Sequence, residues 1–129
     1  MIKFKVPILT EEYKIIVVLG NVEELAKFSY KYVSGWNYDD CLDMVKSSRG
    51  NCWNTLPGKH PLITIDSDLP YELSLATLPH ETSHAIDYII EELGIKDKSG
   101  EIRGHAISAV MRAFFKKVLK GKKLKLINK

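Results

Sequence analysis

The stretch of sequence that decides the fold reads TLPHETSHAIDYIIEEL and occupies residues 77–93. Successive residues of an α-helix are rotated by ~100° about its axis, and at that rotation this stretch separates into two faces. The apolar face carries Ala85, Ile86, Ile89, Ile90 and Leu93. The polar face carries His80, Glu81, His84, Asp87 and Tyr88. The pattern predicts an amphipathic helix that buries one side and presents the other.

Capping signals predict where this helix and the next one begin and end. Thr77 is placed to cap the first helix, with Pro79 in the first turn, where the N–H that proline lacks would be unpaired anyway. Gly94 follows the last apolar residue and is typical of a helix C-terminus. A last helix is predicted over residues 100–119, capped near Ser99.

Upstream of residue 77, the chain alternates between strand and helix patterns. Alternating or β-branched runs predict strands over residues 2–9, 13–19 and 62–65, with a further short strand around Cys52 and Trp53. Residues 62–66 could form an edge strand that an extended peptide joins by strand addition. Helices are predicted over residues 22–33, capped by Asn21, and over residues 39–45. The predicted fold class is α+β, with a small, partly antiparallel sheet packed on helices.

Composition is that of one ordinary globular domain. The chain has 129 residues, of which 45% are hydrophobic and 27% charged, and its formal net charge is +3. We therefore expect a single domain over residues 1–129, with residues 120–129 as a basic tail. Cys41 and Cys52 lack zinc-knuckle spacing and are predicted to be free thiols in a reducing compartment. Without a signal-peptide core or a membrane-length apolar run, the predicted location is the cytoplasm.

The polar face of the predicted helix carries a metal-binding pattern. His80 and His84 lie four residues apart, one helical turn, so both imidazoles can reach a single metal ion. Glu81 stands between these two predicted ligands and points at the same space. An open catalytic zinc site usually takes three protein ligands and leaves one position for water. The spacing predicts a zinc site with Glu81 as the general base.

A third ligand is expected from the first turn of the last helix. Glu101 is the preferred candidate because a loop over residues 94–100 would let this helix fold back against the first. His105 lies one turn later on the same face and is the alternative, as a ligand or as a hydrogen-bond partner of one. Asp87 is a candidate to hold an imidazole in place, or is an ordinary surface aspartate.

Residues 49–115 resemble the minimal zincin-type metallopeptidases, and more narrowly the small uncharacterised HExxH proteins encoded by bacteriophages and prophages. The likeness is carried by the RGNCW segment of residues 49–53, the strand of residues 62–65, the run of residues 77–89 that contains HExxH, residues 94–95, and EIRGH of residues 101–105. The resemblance implies a gluzincin-like fold in which His80, His84 and Glu101 hold zinc. Gluzincins often carry an aspartate four residues after the glutamate ligand, where this chain has His105.

Three functions are compatible with the sequence. The first is a zinc-dependent peptidase acting on a peptide or protein, in the host cytoplasm if the chain is phage-encoded. The second is a non-catalytic protein of the same fold that binds a phage or host partner, with a structural or vestigial metal; the presence of Glu81 favours catalysis over this alternative. The third is a nucleic-acid-binding protein that uses the lysine-rich tail, which we do not expect because basic residues also suit a helix end. The sequence does not indicate the oligomeric state.

Overall fold

The computed structural model describes residues 1–53, 55, 59–98 and 100–118. Within these residues the chain forms four strands and four helices, which confirms the α+β prediction. In chain order they are β1 (Ile2–Ile8), β2 (Thr10–Gly20), α1 (Val22–Tyr32), α2 (Tyr38–Ser47), β3 (Gly50–Trp53), β4 (Leu62–Asp66), α3 (Tyr71–Leu93) and α4 (Glu101–Val118). The predicted basic tail, residues 120–129, lies outside the described residues.

The four strands form one mixed sheet in the order β1-β2-β4-β3. β1 and β2 make an antiparallel hairpin, β2 runs parallel to β4, and β3 runs antiparallel to β4. The prediction that residues 62–66 form an edge strand is therefore wrong. β4 is paired on both sides and all five of its residues are buried, as a central strand covered on both faces must be. The edge next to β4 is β3.

Helices cover both faces of the sheet. On one face, α3 and α4 contribute Leu78, Ala85, Ile86, Ile89, Ala106, Val110 and Phe114 to a core with inward residues of β1, β2 and β4. On the other face, α1 and α2 contribute Leu25, Ala26, Cys41 and Val45, which pack with Ile16, Val18, Trp53 and Leu62. The apolar face predicted for residues 77–93 is confirmed, because Ala85, Ile86 and Ile89 are buried in the first core.

α3 begins earlier than the sequence indicated. It starts at Tyr71, after Pro70 at the N-cap position, so Thr77 and Pro79 both lie inside the helix. An interior proline costs a helix roughly 3 kcal/mol. The added turns bury Ser74 and pack Leu75 against the core that α3 and α4 share with the sheet. Tertiary packing thus outweighs the local proline signal.

The other helix ends agree closely with their sequence signals. Asn21 caps α1 through a reciprocal capping box with Glu24. Gly94 ends α3 in the left-handed conformation at φ 66°, as predicted. At the start of α4, the Asp97 carboxylate accepts hydrogen bonds from the backbone N–H groups of Ile102 and Arg103. Ser99, the predicted cap, lies outside the described residues.

Candidate metal centre

His80 and His84 lie on adjacent turns of α3 with their ring nitrogens facing each other. The two Nε2 atoms are 3.3 Å apart, and the ring planes meet at 83°. Two nitrogens bound at 2.0–2.1 Å to one tetrahedral zinc ion would stand about 3.3–3.4 Å apart. This spacing fits two ligands of one zinc ion, and it is equally that of a hydrogen bond between the two rings.

These imidazoles and one carboxylate form a compact group. Candidate ligand atoms of His80, Glu81 and His84 all lie within 4.8 Å of one another. Among residues 1–53, 55, 59–98 and 100–118, no other set of three His, Cys, Asp or Glu side chains comes this close. The predicted metal-binding pattern is thus a real cluster in space, and its donor chemistry suits zinc.

Glu81 differs from its two neighbours in environment. Its side chain is buried, with only 8% of the residue exposed, whereas both histidines are exposed. Burial raises the pKa of the Glu81 carboxyl, while the two nearby histidines and a hydrogen bond from the backbone N–H of Cys52 oppose the rise. A carboxylate whose pKa is raised is a better proton acceptor near neutral pH, which is what a general base needs.

Strand β3 runs beside this part of α3. The Arg49 carbonyl accepts a hydrogen bond from the Asp66 N–H, so alternation along the strand turns the backbone groups of Gly50 and Cys52 away from β4. The Cys52 N–H donates to Glu81, as expected for an outward-facing group. Among the described residues, this edge of the sheet therefore borders the candidate metal-binding group of His80, Glu81 and His84.

Arg103 of α4 borders the same group on its other flank. The Arg103 Nη1 atom donates to the Ser83 carbonyl at 2.8 Å, and Nη2 is paired with the Asp87 carboxylate. Asp87 thus contacts a guanidinium, and its predicted role of holding an imidazole stays a prediction. Arg103 was not among the predicted site residues, although the sequence held a signal for it: it lies three residues before the buried Ala106, on the face that α4 turns to the core.

Glu101 and His105 are not part of the group that the structure brings together. On a helix they are rotated by about 160–200° from Arg103, the residue of α4 that contacts the motif. Both are exposed, and His105 lines a small cavity with residues of the β1–β2 hairpin, including Leu9. Glu101 as third ligand stays a prediction from the sequence, and this orientation of α4 does not support it.

No helix of the described residues is long and apolar enough to cross a membrane. The chain matches no known protein family, no curated protein and no solved structure. The assignment of His80, Glu81 and His84 as a candidate metal site therefore rests on their geometry alone.

Proposed function

We propose that the protein is a zinc-dependent metallopeptidase. One observation carries the proposal: His80 and His84 present two nitrogens at the spacing of a zinc ion's ligands, with a buried carboxylate beside them. The separation of roles supports it further. The exposed imidazoles are available for binding metal, while Glu81 is held away from solvent in a place suited to proton transfer.

Each residue has a defined task in this proposal. A bound zinc ion supplies a Lewis acid that polarises a carbonyl group and acidifies water. His80 and His84 bind the ion as neutral imidazoles. Glu81 accepts a proton from the attacking water and passes it to the leaving amine. The Cys52 N–H of β3 donates a hydrogen bond to the Glu81 carboxylate of α3 and so orients the proposed base.

The position of β3 relates the site to an extended substrate. β3, and not β4 as the sequence indicated, is the edge strand beside Glu81. Two of its outward backbone groups are already paired, the Cys52 N–H with Glu81 and the Gly50 carbonyl with the Ser48 hydroxyl. A peptide that joined this edge through backbone hydrogen bonds would have to replace these bonds, and it would pass close to His80, Glu81 and His84.

The exposure of the histidines favours a second candidate. Both imidazoles are exposed, and apart from the buried Glu81 no further His, Cys, Asp or Glu joins them among the described residues. A protein of this kind could bind a partner through a metal without hydrolysing anything. The two candidate functions differ in their need for Glu81: hydrolysis requires it as the base, whereas binding a partner through a metal does not.

Zinc content and hydrolysis can be measured separately. Metal-free protein is titrated with zinc, and binding is followed by calorimetry for the wild type, His84→Ala and His105→Ala. We expect His84→Ala to lose at least tenfold in affinity. His105→Ala, an exposed histidine outside the group, is the matched control and should bind as the wild type does. Equal zinc binding by His84→Ala would exclude this site.

Hydrolysis is tested with a mixed-sequence peptide library read by mass spectrometry. Glu81→Gln keeps the size of the side chain and removes the base, so we expect normal zinc affinity and a rate lowered by at least a hundredfold. If the zinc-loaded wild type cleaves no peptide, or if Glu81→Gln cleaves as fast, the peptidase assignment fails. Zinc binding without cleavage would leave the binding-protein alternative.

The third ligand is tested with Glu101→Gln. Loss of zinc affinity in this variant would support the sequence prediction and require α4 to rotate. Unchanged affinity would show that Glu101 is not a ligand.

A further inference from the structure

The metal-binding group offers zinc only two outward-facing donors. His80 and His84 are exposed, while Glu81 is buried and takes the Cys52 N–H. Within the described residues no further His, Cys, Asp or Glu joins the group. Zinc in proteins is most often four-coordinate, so this pair fills half of its coordination shell.

A second copy of the chain carries the same half-shell. In a twofold-symmetric pair the same surface patch meets itself, so His80 and His84 of one copy face His80 and His84 of the other. Both pairs have the 3.3 Å spacing of nitrogens on a tetrahedral zinc ion. Their exposure leaves the ring nitrogens accessible to a second copy.

We propose that two copies of this chain share one zinc ion through His80 and His84 of each when zinc is scarce. The shared ion has four imidazole ligands and no position for water, so this pair is a closed, inactive form of the site. When zinc is abundant, each chain holds its own ion and coordination positions open. The ratio of zinc to protein therefore regulates the proposed peptidase, and the inference depends on the zinc site proposed above.

The test is the molecular mass of the full chain at defined zinc ratios, measured by sedimentation velocity. We expect a monomer without zinc, a dimer at half an equivalent, and a return to the monomer when zinc exceeds one equivalent. Chelation of the zinc by EDTA should restore the monomer from the dimer. A wild-type chain that binds zinc and remains monomeric at every ratio would overturn the proposal.

Variants separate this proposal from the peptidase proposal. His84→Ala should stay monomeric at half an equivalent, and His105→Ala should dimerise as the wild type does. Glu81→Gln should also dimerise, because it keeps both imidazoles, although it is expected to lose hydrolysis. A dimer that persists in His84→Ala or without zinc would contradict shared coordination. Failure of hydrolysis with zinc-dependent dimerisation intact would contradict only the peptidase.

Discussion

Gly50 of β3 faces Thr77 of α3 so closely that a Cβ atom at position 50 would lie 2.1 Å from the Thr77 Cγ2 atom. No real contact is that short, so any larger residue at position 50 forces the strand and the helix apart. The contact lies one turn before His80 on α3 and two residues before Cys52 on β3. This close approach therefore helps to set the distance between the sheet edge and the metal-binding group.

Gly50→Ala is predicted to destabilise the protein by about 1–3 kcal/mol, the usual cost of overpacking. Urea unfolding followed by circular dichroism measures the change. Gly104→Ala is the control, because Gly104 lies in helix α4 with nothing within 4 Å of its added Cβ. It should stabilise the protein by about 0.5–1 kcal/mol.

A second substitution tests the cause. Thr77→Ser removes the Cγ2 atom that the new methyl group would meet, so Gly50→Ala should cost less in that background. If the changes in the free energy of unfolding caused by Gly50→Ala and Thr77→Ser simply add, the clash with Cγ2 is not the reason that Gly50→Ala is destabilising.

Local patterns in the sequence were sufficient for most of the fold and for the core of the site. The spacing of His80 and His84 on an amphipathic helix is a local property, and so is the capping by Asn21 and Gly94. The start of α3 was missed because Pro79 suits the first turn of a helix, whereas the packing of Ser74 and Leu75 extends α3 back to Tyr71. Packing of this kind depends on distant residues, which no local pattern reports.

The orientation of α4 could not be read from the first turn alone. Glu101 and His105 were chosen for their chemistry and their distance along the chain. The apolar positions Ala106, Val110 and Phe114 decide which side of α4 is buried, and they turn Arg103 towards α3. The edge strand was misassigned for a related reason, because strand order depends on long-range pairing that Leu62 and its neighbours do not encode.

Cys52 should be a slow nucleophile despite its place beside the site. Burial, with smaller contributions from Glu81 and Asp87, raises the pKa of its thiol to about 12. A free thiol has a pKa of about 8.5, so at pH 8 the folded protein holds on the order of a thousandfold less thiolate at this position. Iodoacetamide labelling of metal-free Cys41→Ser should be correspondingly slow, and should accelerate as pH rises.

The same protein unfolded in urea provides the control, because exposed Cys52 should then react at the ordinary rate. Because the pKa of the Cys52 thiol is raised on folding, the folded state holds this proton more tightly than the unfolded state does. The resulting contribution to the free energy of unfolding is present below pH ~8.5 and is lost as pH rises towards 12. Rapid labelling of the folded protein at pH 8 would contradict the raised pKa of this half-buried thiol.

Asp97 is predicted to stabilise the start of α4. Its carboxylate accepts two backbone N–H groups, those of Ile102 and Arg103, which would otherwise lack partners at the helix start. Asp97→Ala should cost about 0.5–2 kcal/mol, and Asp97→Asn should recover part of this loss. Thermal unfolding of the three proteins measures it, and equal stability of all three would show that the cap is dispensable.

Arg103 should matter more to stability than its partner Asp87. The ion pair is half-exposed, with side-chain exposures of 34% and 59%, so the pair itself is expected to contribute at most about 1 kcal/mol. Arg103 also donates to the Ser83 carbonyl, a hydrogen bond that Asp87→Asn leaves intact. Arg103→Met should therefore destabilise the protein by about 0.5–1.5 kcal/mol more than Asp87→Asn does.

Arg112→Met is the matched control, because Arg112 is an exposed arginine of the same helix and takes no part in the contacts that Arg103 makes with α3. Its effect should stay within about 0.5 kcal/mol of zero. Zinc affinity gives the second measurement. Arg103 contacts Ser83 and Asp87, which lie beside His84 on α3. Arg103→Met should therefore weaken zinc binding, whereas Arg112→Met should not. Equal zinc affinity in both variants would show that the contacts of Arg103 stabilise the fold but do not influence the positions of His80 and His84.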